Sequence, residues 1–237
     1  MKNMDKSQIK KALKSAFPLT LPVMAGYIVL GFGFGLLLQS RGYSFLWAIL
    51  MSVTIYGGSL QFAAVDFLTA GAGFIATGIV TLMIQARHIF YSISMLTRYR
   101  NTGKIKPFLI YGLTDETFSL VCNDSVPDGV NKTAFYFFIT LLNHLYWVFG
   151  SAMGGLFGQA VTVNTTGVDF AMTALFTVIL TDNLIKPDSR IPALTGVVIS
   201  VICLLIFGKD SFLIPSMAAV SVALMLLRPV LNKEEKK

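Results

Sequence analysis

The chain has 237 residues, 54% of them hydrophobic and 13% charged, with a mean hydropathy of +0.69 and a formal net charge of +7. A soluble domain carries about 25% charged residues, so this composition sets aside a soluble enzyme and points to one membrane bundle of about seven or eight apolar segments. Thirteen of the 19 basic residues fall in three blocks that flank apolar runs (Lys2 to Lys14, Arg98 to Lys106, Arg228 to Lys237), the pattern of cytoplasmic anchoring rather than of a basic face for nucleic acid.

In chain order, the lysine-rich residues 1–14 precede an apolar run interrupted early by Pro18 and Pro22, with no A-x-A cleavage site after it, which predicts an uncleaved first span. Eight apolar segments follow, at about 18–38, 45–68, 74–97, 107–123, 133–158, 169–184, 191–207 and 211–228, with polar tails over 1–14 and 232–237. Eight full crossings place both termini in the cytoplasm but leave the basic block 98–106 outside, against the charge rule. Segments that enter and leave on one face repair this, and the double glycines Gly57-Gly58 and Gly154-Gly155 are the candidate breaks. The expected fold is therefore an all-α polytopic membrane helix bundle, a single integral membrane domain over 1–237 with six to eight crossings and broken or re-entrant helices. It is expected to carry a two-fold internal repeat (18–97 and 107–184), with 191–228 as additional helices. The repeat pairs the stretch Ile55 to Ser59 with Leu145 to Ser151.

Ionisable groups inside a span are costly and ask for a reason. Arg87 and His88 precede Arg98 by 11 and 10 residues, Asp115 and Glu116 follow Lys106 by 9 and 10, and Asn143 and His144 follow Lys132 by 11 and 12. At a rise of about 1.5 Å per residue along straight helices starting at those flanks, a condition that Pro107 and Gly112 bear on, all three pairs lie about 15 Å from an interface, near the middle of a hydrocarbon layer about 30 Å thick. Each pair also has a structural alternative: a buried ion pair, a helix cap at Thr114 to Glu116, or interhelical hydrogen-bonding glue. Asp66, Asp169 and Asp182 sit near segment ends, where interfacial placement suffices.

Gly31, Gly33 and Gly35 alternate with phenylalanine, and Gly57-Gly58 is followed by Ser59 and Gln61. Glycine in a span serves close packing or helix unwinding that frees backbone groups for a ligand. A zwitterionic amino acid suits this inventory, as do other small polar solutes, so the residues by themselves point only to a small-solute carrier. Its carboxylate wants Arg87 or half-helix N–H groups at Gly57, Gly58 and Ser59, with Gln61 and Asn143 as further polar partners. Its ammonium wants Asp115, Glu116 or the carbonyls of unwound backbone. If transport is coupled to protons, Glu116 and His88 are the expected carriers. No metal-ligand set, P-loop or nucleophile elbow is present, so no cofactor, metal or enzymatic activity is expected.

Taken together, Tyr56-Gly57-Gly58-Ser59-Leu60-Gln61-Phe62-Ala63, Ala86-Arg87-His88-Ile89-Phe90-Tyr91-Ser92, Leu113 to Phe118, Asn143-His144-Leu145-Tyr146-Trp147 and Gly167-Val168-Asp169-Phe170-Ala171 resemble the AzlC family in order and spacing over residues 15–228. Gln85 is a departure, standing where the family pattern has asparagine. The resemblance implies a bacterial cytoplasmic-membrane secondary transporter that exports branched-chain or other hydrophobic amino acids. It also implies a small multi-span partner of the AzlD type and energy from an ion gradient. The competing expectations are a passive small-solute channel and a structural subunit whose polar residues are packing glue.

Overall fold

The structure, a computed structural model, describes residues 6–122, 126–161, 177–178, 180–181, 183–185, 187–208 and 212–234. Every element among these residues is helical. They are α1 (Lys6–Ser40), α2 (Phe45–Thr54), α3 (Gly58–Ala70), α4 (Phe74–Met95), a 3-10 turn at Gly103–Ile105, α5 (Lys106–Tyr111), α6 (Asp115–Cys122), α7 (Lys132–Ala160), α8 (Pro187–Phe207) and α9 (Leu213–Glu234). The chain forms two units, Met1–Ala171 and Met172–Lys237.

The first unit is organised by α1 and α7. Gly31 and Gly35 on α1, and Gly150 and Gly154 on α7, are each four residues apart and lie where the two helices touch. A Cβ on Gly150 would sit 2.8 Å from the Ile28 carbonyl oxygen, and one on Gly31 3.0 Å from Ser151 N, so the backbones themselves are in contact. Gly33 faces away and has nothing within 4 Å of a Cβ. Ser151 at this seam is buried and donates to the Trp147 carbonyl at 2.8 Å. A core of Ala16, Met95, Tyr99, Leu109, Leu113, Val121, Phe135, Tyr136 and Ile139 closes the unit where α4, α5 and α6 meet the two long helices.

Several expected boundaries change. α1 begins at Lys6 and runs through Pro18 and Pro22, so most of the expected polar tail is helix. A spanning helix tolerates proline because neighbours take up the freed groups. Gly154-Gly155 does not break α7: both residues admit neighbouring backbone, Phe32 and Phe45 respectively, and the helix is continuous. The two stretches expected to correspond in a repeat therefore differ, since Ile55 to Ser59 contains a break and Leu145 to Ser151 does not. Most of the expected segment 169–184, including Asp169 and Asp182, lies outside the described residues, as does the Gly167 to Ala171 motif.

Three helices among the described residues are long and apolar enough to cross a membrane: Lys6–Ser40, Phe74–Met95 and Arg190–Phe207. α7 has the length at 29 residues but carries Thr140, Asn143, His144 and Ser151 along it. The segments 45–68 and 107–123 are each two short helices: α2 and α3 have 10 and 13 residues, α5 and α6 have 6 and 8. At about 1.5 Å per residue, each of these covers no more than about two thirds of the hydrocarbon. In the second unit α8 ends at Gly208, whose N–H bonds the Leu204 carbonyl at 3.0 Å with φ of +71°, and α9 packs along α8.

Candidate functional site

The first break lies at Ile55-Tyr56-Gly57. Tyr56 has φ of +43°, the one non-glycine positive φ among the described residues, in a region that costs a β-carbon residue about 1–3 kcal/mol unless its surroundings enforce it. The surroundings are the His144 ring, 4.2 Å from the Tyr56 ring, and the Tyr111 ring at 6.1 Å. Gly57 is extended, and its carbonyl accepts the first helical bond of α3 from Gln61 N at 2.8 Å. The space a Gly57 side chain would take is filled by the Gln85 amide of α4, and Trp147 covers Gly58.

The second break lies at Gly112-Leu113-Thr114. The methyl of Thr140 on α7 occupies the place of a Gly112 side chain, which turns the chain away from α5. Thr114 then caps α6: its Oγ1 accepts from Thr117 N at 3.2 Å, and Asp115 and Glu116 occupy the first turn, where the helix dipole favours negative charge. At the far end Arg98 donates to the carbonyls of Val121 (2.5 Å) and Cys122. The two breaks adjoin, because Tyr111 at the end of α5 donates through its hydroxyl to the Val53 carbonyl near the end of α2.

At this junction Arg87 Nη1 of α4 pairs with Asp115 Oδ2 at 2.5 Å, and Arg87 Nη2 donates to Ser59 Oγ in the first turn of α3 at 3.3 Å. The two charged side chains are 35% and 33% exposed, so the pair is open to a ligand rather than sealed. Two of its own atoms, Arg87 Nε and Asp115 Oδ1, are buried without a partner, and the Tyr91 hydroxyl lies beside the same carboxylate. An unmet donor and an unmet acceptor beside one ion pair are unusual in a purely structural bridge, where remaining lone pairs and protons are satisfied. His88, Gln85, Thr81 and Ser92 border an open groove of about 700 Å³ along α4 that is lined otherwise by apolar side chains including Leu82, Ile89, Ile93 and Leu96.

Glu116 faces the other way. Tyr27 of α1 donates to its Oε2 at 2.6 Å, and Tyr27 also meets Thr114 Oγ1 at 2.7 Å. Thr117 Oγ1 accepts from Thr114 at 3.1 Å and from Asn143 Nδ2 at 3.0 Å. A separate bridge runs from Trp147 Nε1 to Gln61 Oε1 at 2.8 Å and from Gln61 Nε2 to Ser52 Oγ at 3.1 Å. His144 Nε2 lies 3.2 Å from the Ser52 carbonyl.

The structure thus brings Ser59, Arg87 and Asp115 into direct contact, and joins Glu116 to Asn143 through hydroxyls. Gly57 and Gly58 lie at the break beside them. Gln61 is fully buried and occupied by Ser52 and Trp147, so its amide ties α3 to α2 and α7 rather than reaching the ion pair. Tyr27, Tyr56, Ser52 and Trp147 are missing from the sequence-based site. Tyr27 follows Lys14 by 13 residues, so the same depth arithmetic puts it within about 5 Å of the other pairs.

Comparison with known proteins agrees with the motifs. Residues 22–161 match the family described as AzlC protein. The branched-chain amino acid transport protein AzlC of Bacillus subtilis is 47% identical over 230 residues, covering 97% of this chain and 91% of that protein. A membrane protein of Helicobacter pylori without assigned function is 41% identical over 222 residues, covering 94% and 97%. The Escherichia coli inner membrane protein YgaZ is 29% identical over 164 residues, covering 66% and 67%. No solved structure matches the chain.

Proposed function

This chain belongs to the AzlC family, and from that premise we propose that it is a secondary transporter exporting branched-chain or other hydrophobic amino acids across the bacterial cytoplasmic membrane, driven by a proton gradient. The observation that carries the reading is the Arg87–Asp115 pair at the meeting of two helix breaks, with Asp115 Oδ1 and Arg87 Nε both buried and unpartnered. A zwitterion supplies one of each missing partner. Its ammonium donates to Asp115 Oδ1. Its carboxylate accepts from Arg87 Nε and takes the positive end of the α3 dipole at Gly57, Gly58 and Ser59. The apolar side chain then has the groove of Leu82, Ile89 and Ile93 beside Gln85 and His88. A polar pair of this kind can bind and release a solute.

Coupling assigns Glu116, with His88 as the second candidate, to the proton. A small multi-span subunit of the AzlD type completes the transporter in this reading. The test is amino-acid efflux from cells preloaded with a leucine-containing dipeptide, with and without the chain and with the small subunit supplied or withheld. Export that requires the chain, falls with an uncoupler and is lost in Arg87→Gln supports the proposal. Flux indifferent to uncouplers points to a channel, and no chain-dependent flux points to a structural subunit.

A further inference from the structure

Arg87 neutralises Asp115, and Glu116 is left with no ion-pair partner among the described residues. A hydroxyl meets it instead. Tyr27, Thr114 and Thr117 are buried, and they form a continuous line from Glu116 Oε2 to Asn143. Beside that line are Asn143 Oδ1, buried without a partner, and Tyr56 Oη, buried against the Tyr27, Thr114 and Thr117 hydroxyls. The titratable groups facing Glu116 are Tyr27 of α1, Tyr56 of the first break and Tyr91 of α4, and none of them carries positive charge.

We propose that this cluster is a built proton site, holding Glu116 in both of its charge states, with Tyr27 as the positioning residue that reverses when the proton arrives. A carboxylate meant to stay ionised is served by N–H donors, which cannot accept; a hydroxyl does both. With Glu116 ionised, Tyr27 donates to Oε2. When Oε2 takes a proton, the acid O–H donates to Tyr27 Oη, and the Tyr27 hydrogen turns to Thr114 Oγ1. Thr114 donates to Thr117 Oγ1, and the Thr117 hydrogen has Tyr56 Oη to receive it. One proton enters; Thr114, which donates to Tyr27 Oη while Glu116 is ionised, turns together with Tyr27, so the hydrogens of the line reverse in step and no buried group in it loses its partner. A metal cation fits less well. Oxygens about 2.3–2.6 Å from a hard ion stand well over 3 Å from one another, whereas Tyr27 Oη is 2.6 Å from Glu116 Oε2 and 2.7 Å from Thr114 Oγ1. Hydrogens, not an ion, occupy those gaps.

The inference rests on reading Glu116 as the coupling acid, and its test separates the two. Cells expressing the full chain are assayed for efflux driven by an imposed pH gradient and for amino-acid exchange without one, using wild type, Tyr27→Phe, Glu116→Gln, Glu116→Asp and the double variant Tyr27→Phe/Glu116→Gln. Tyr27→Phe should lower driven efflux about tenfold or more, the size of one hydrogen bond to a charged group, and leave exchange within about twofold of wild type. The double variant should be no worse than Glu116→Gln alone, because Tyr27 acts through Glu116. Driven efflux at the wild-type rate in Tyr27→Phe overturns the inference and leaves the coupling role of Glu116 standing. Multiplying losses in the double variant also overturn it, since they would reflect only the packing of Tyr27 on Trp147. Should Tyr27→Phe lose exchange as well, Glu116→Asp decides: it keeps the acid but withdraws it from Tyr27. Impaired driven efflux with exchange intact then supports the site, and normal driven efflux rejects it. A pH response retained in Glu116→Gln removes both readings.

Discussion

The seam between α1 and α7 and the junction between α2–α3 and α5–α6 are both rich in glycine, and they use it in opposite senses. At the seam, Gly31, Gly35, Gly150 and Gly154 sit in unbroken helices and bring two backbones into contact. At the junction, Gly57 and Gly112 lie where helices stop, and the space they leave is taken by side chains from elsewhere, the Gln85 amide and the Thr140 methyl. A backbone wall cannot retreat, whereas a side-chain end can. The seam is therefore the rigid frame, and the junction is where the chain keeps polar groups unmatched and movable.

The largest effect should come from breaching the seam. Gly154→Ala drives a methyl into the Phe32 backbone, and a loss of about 3 kcal/mol, the upper end for overpacking, should appear as a lowered melting temperature and poor monodisperse yield of the detergent-purified protein. A Gly154→Ala protein that melts normally would end the distinction drawn here. Arg87→Ala should leave the fold within about 1–2 kcal/mol, because the pair is a third exposed. It should cut efflux by about a hundredfold or more, and Arg87→Lys should not restore it, since an ammonium cannot fork between Asp115 and Ser59. Efflux of Arg87→Lys at the wild-type rate would reduce the site to a matter of charge. Gly57→Ala should be milder than Gly154→Ala, about 1 kcal/mol, with efflux lowered several-fold. Adding Gln85→Asn, which shortens the intruding amide, should recover most of that efflux; no recovery would mean that the backbone angles at Gly57, not the space, are what matters. Smallest of all is Gly33→Ala. With nothing within 4 Å it should gain about 0.5–1 kcal/mol of helix stability and leave transport unchanged, as melting and efflux on one preparation would show.

The membrane class was legible from composition and from basic residues gathered in blocks between nearly uncharged apolar runs. Arg87 and Asp115 do meet, although the residue count that paired them assumed straight helices from Arg98 and Lys106 and the chain breaks at Gly112 to Thr114 on the way to Asp115. The break at Gly57 was legible because Ser59 and Gln61 follow it. Gly154-Gly155 reads the same in sequence, and only the partner backbone tells the two uses apart. The number of crossings was not legible for a related reason: a hydropathy window over 45–68 or 107–123 counts apolar residues and does not register where the hydrogen-bond ladder stops. Tyr27 escaped because its partner Glu116 is 89 residues away, and an isolated tyrosine in an apolar run carries no charge to mark it.

Arg98 gives α6 a property that its 8 residues alone would not confer. The two arginines that hold it, Arg87 on Asp115 at its start and Arg98 on Val121 and Cys122 at its end, stand 11 residues apart, on α4 and just past its end. The short helix is thus clasped head and tail by the same neighbour, like a rung fixed to one rail. Any rearrangement that turns Asp115 toward the opposite side of the membrane must either carry α4 with it or open one of the two clasps. The Tyr27 contact to α1 is then the hinge point across which that rung would swing.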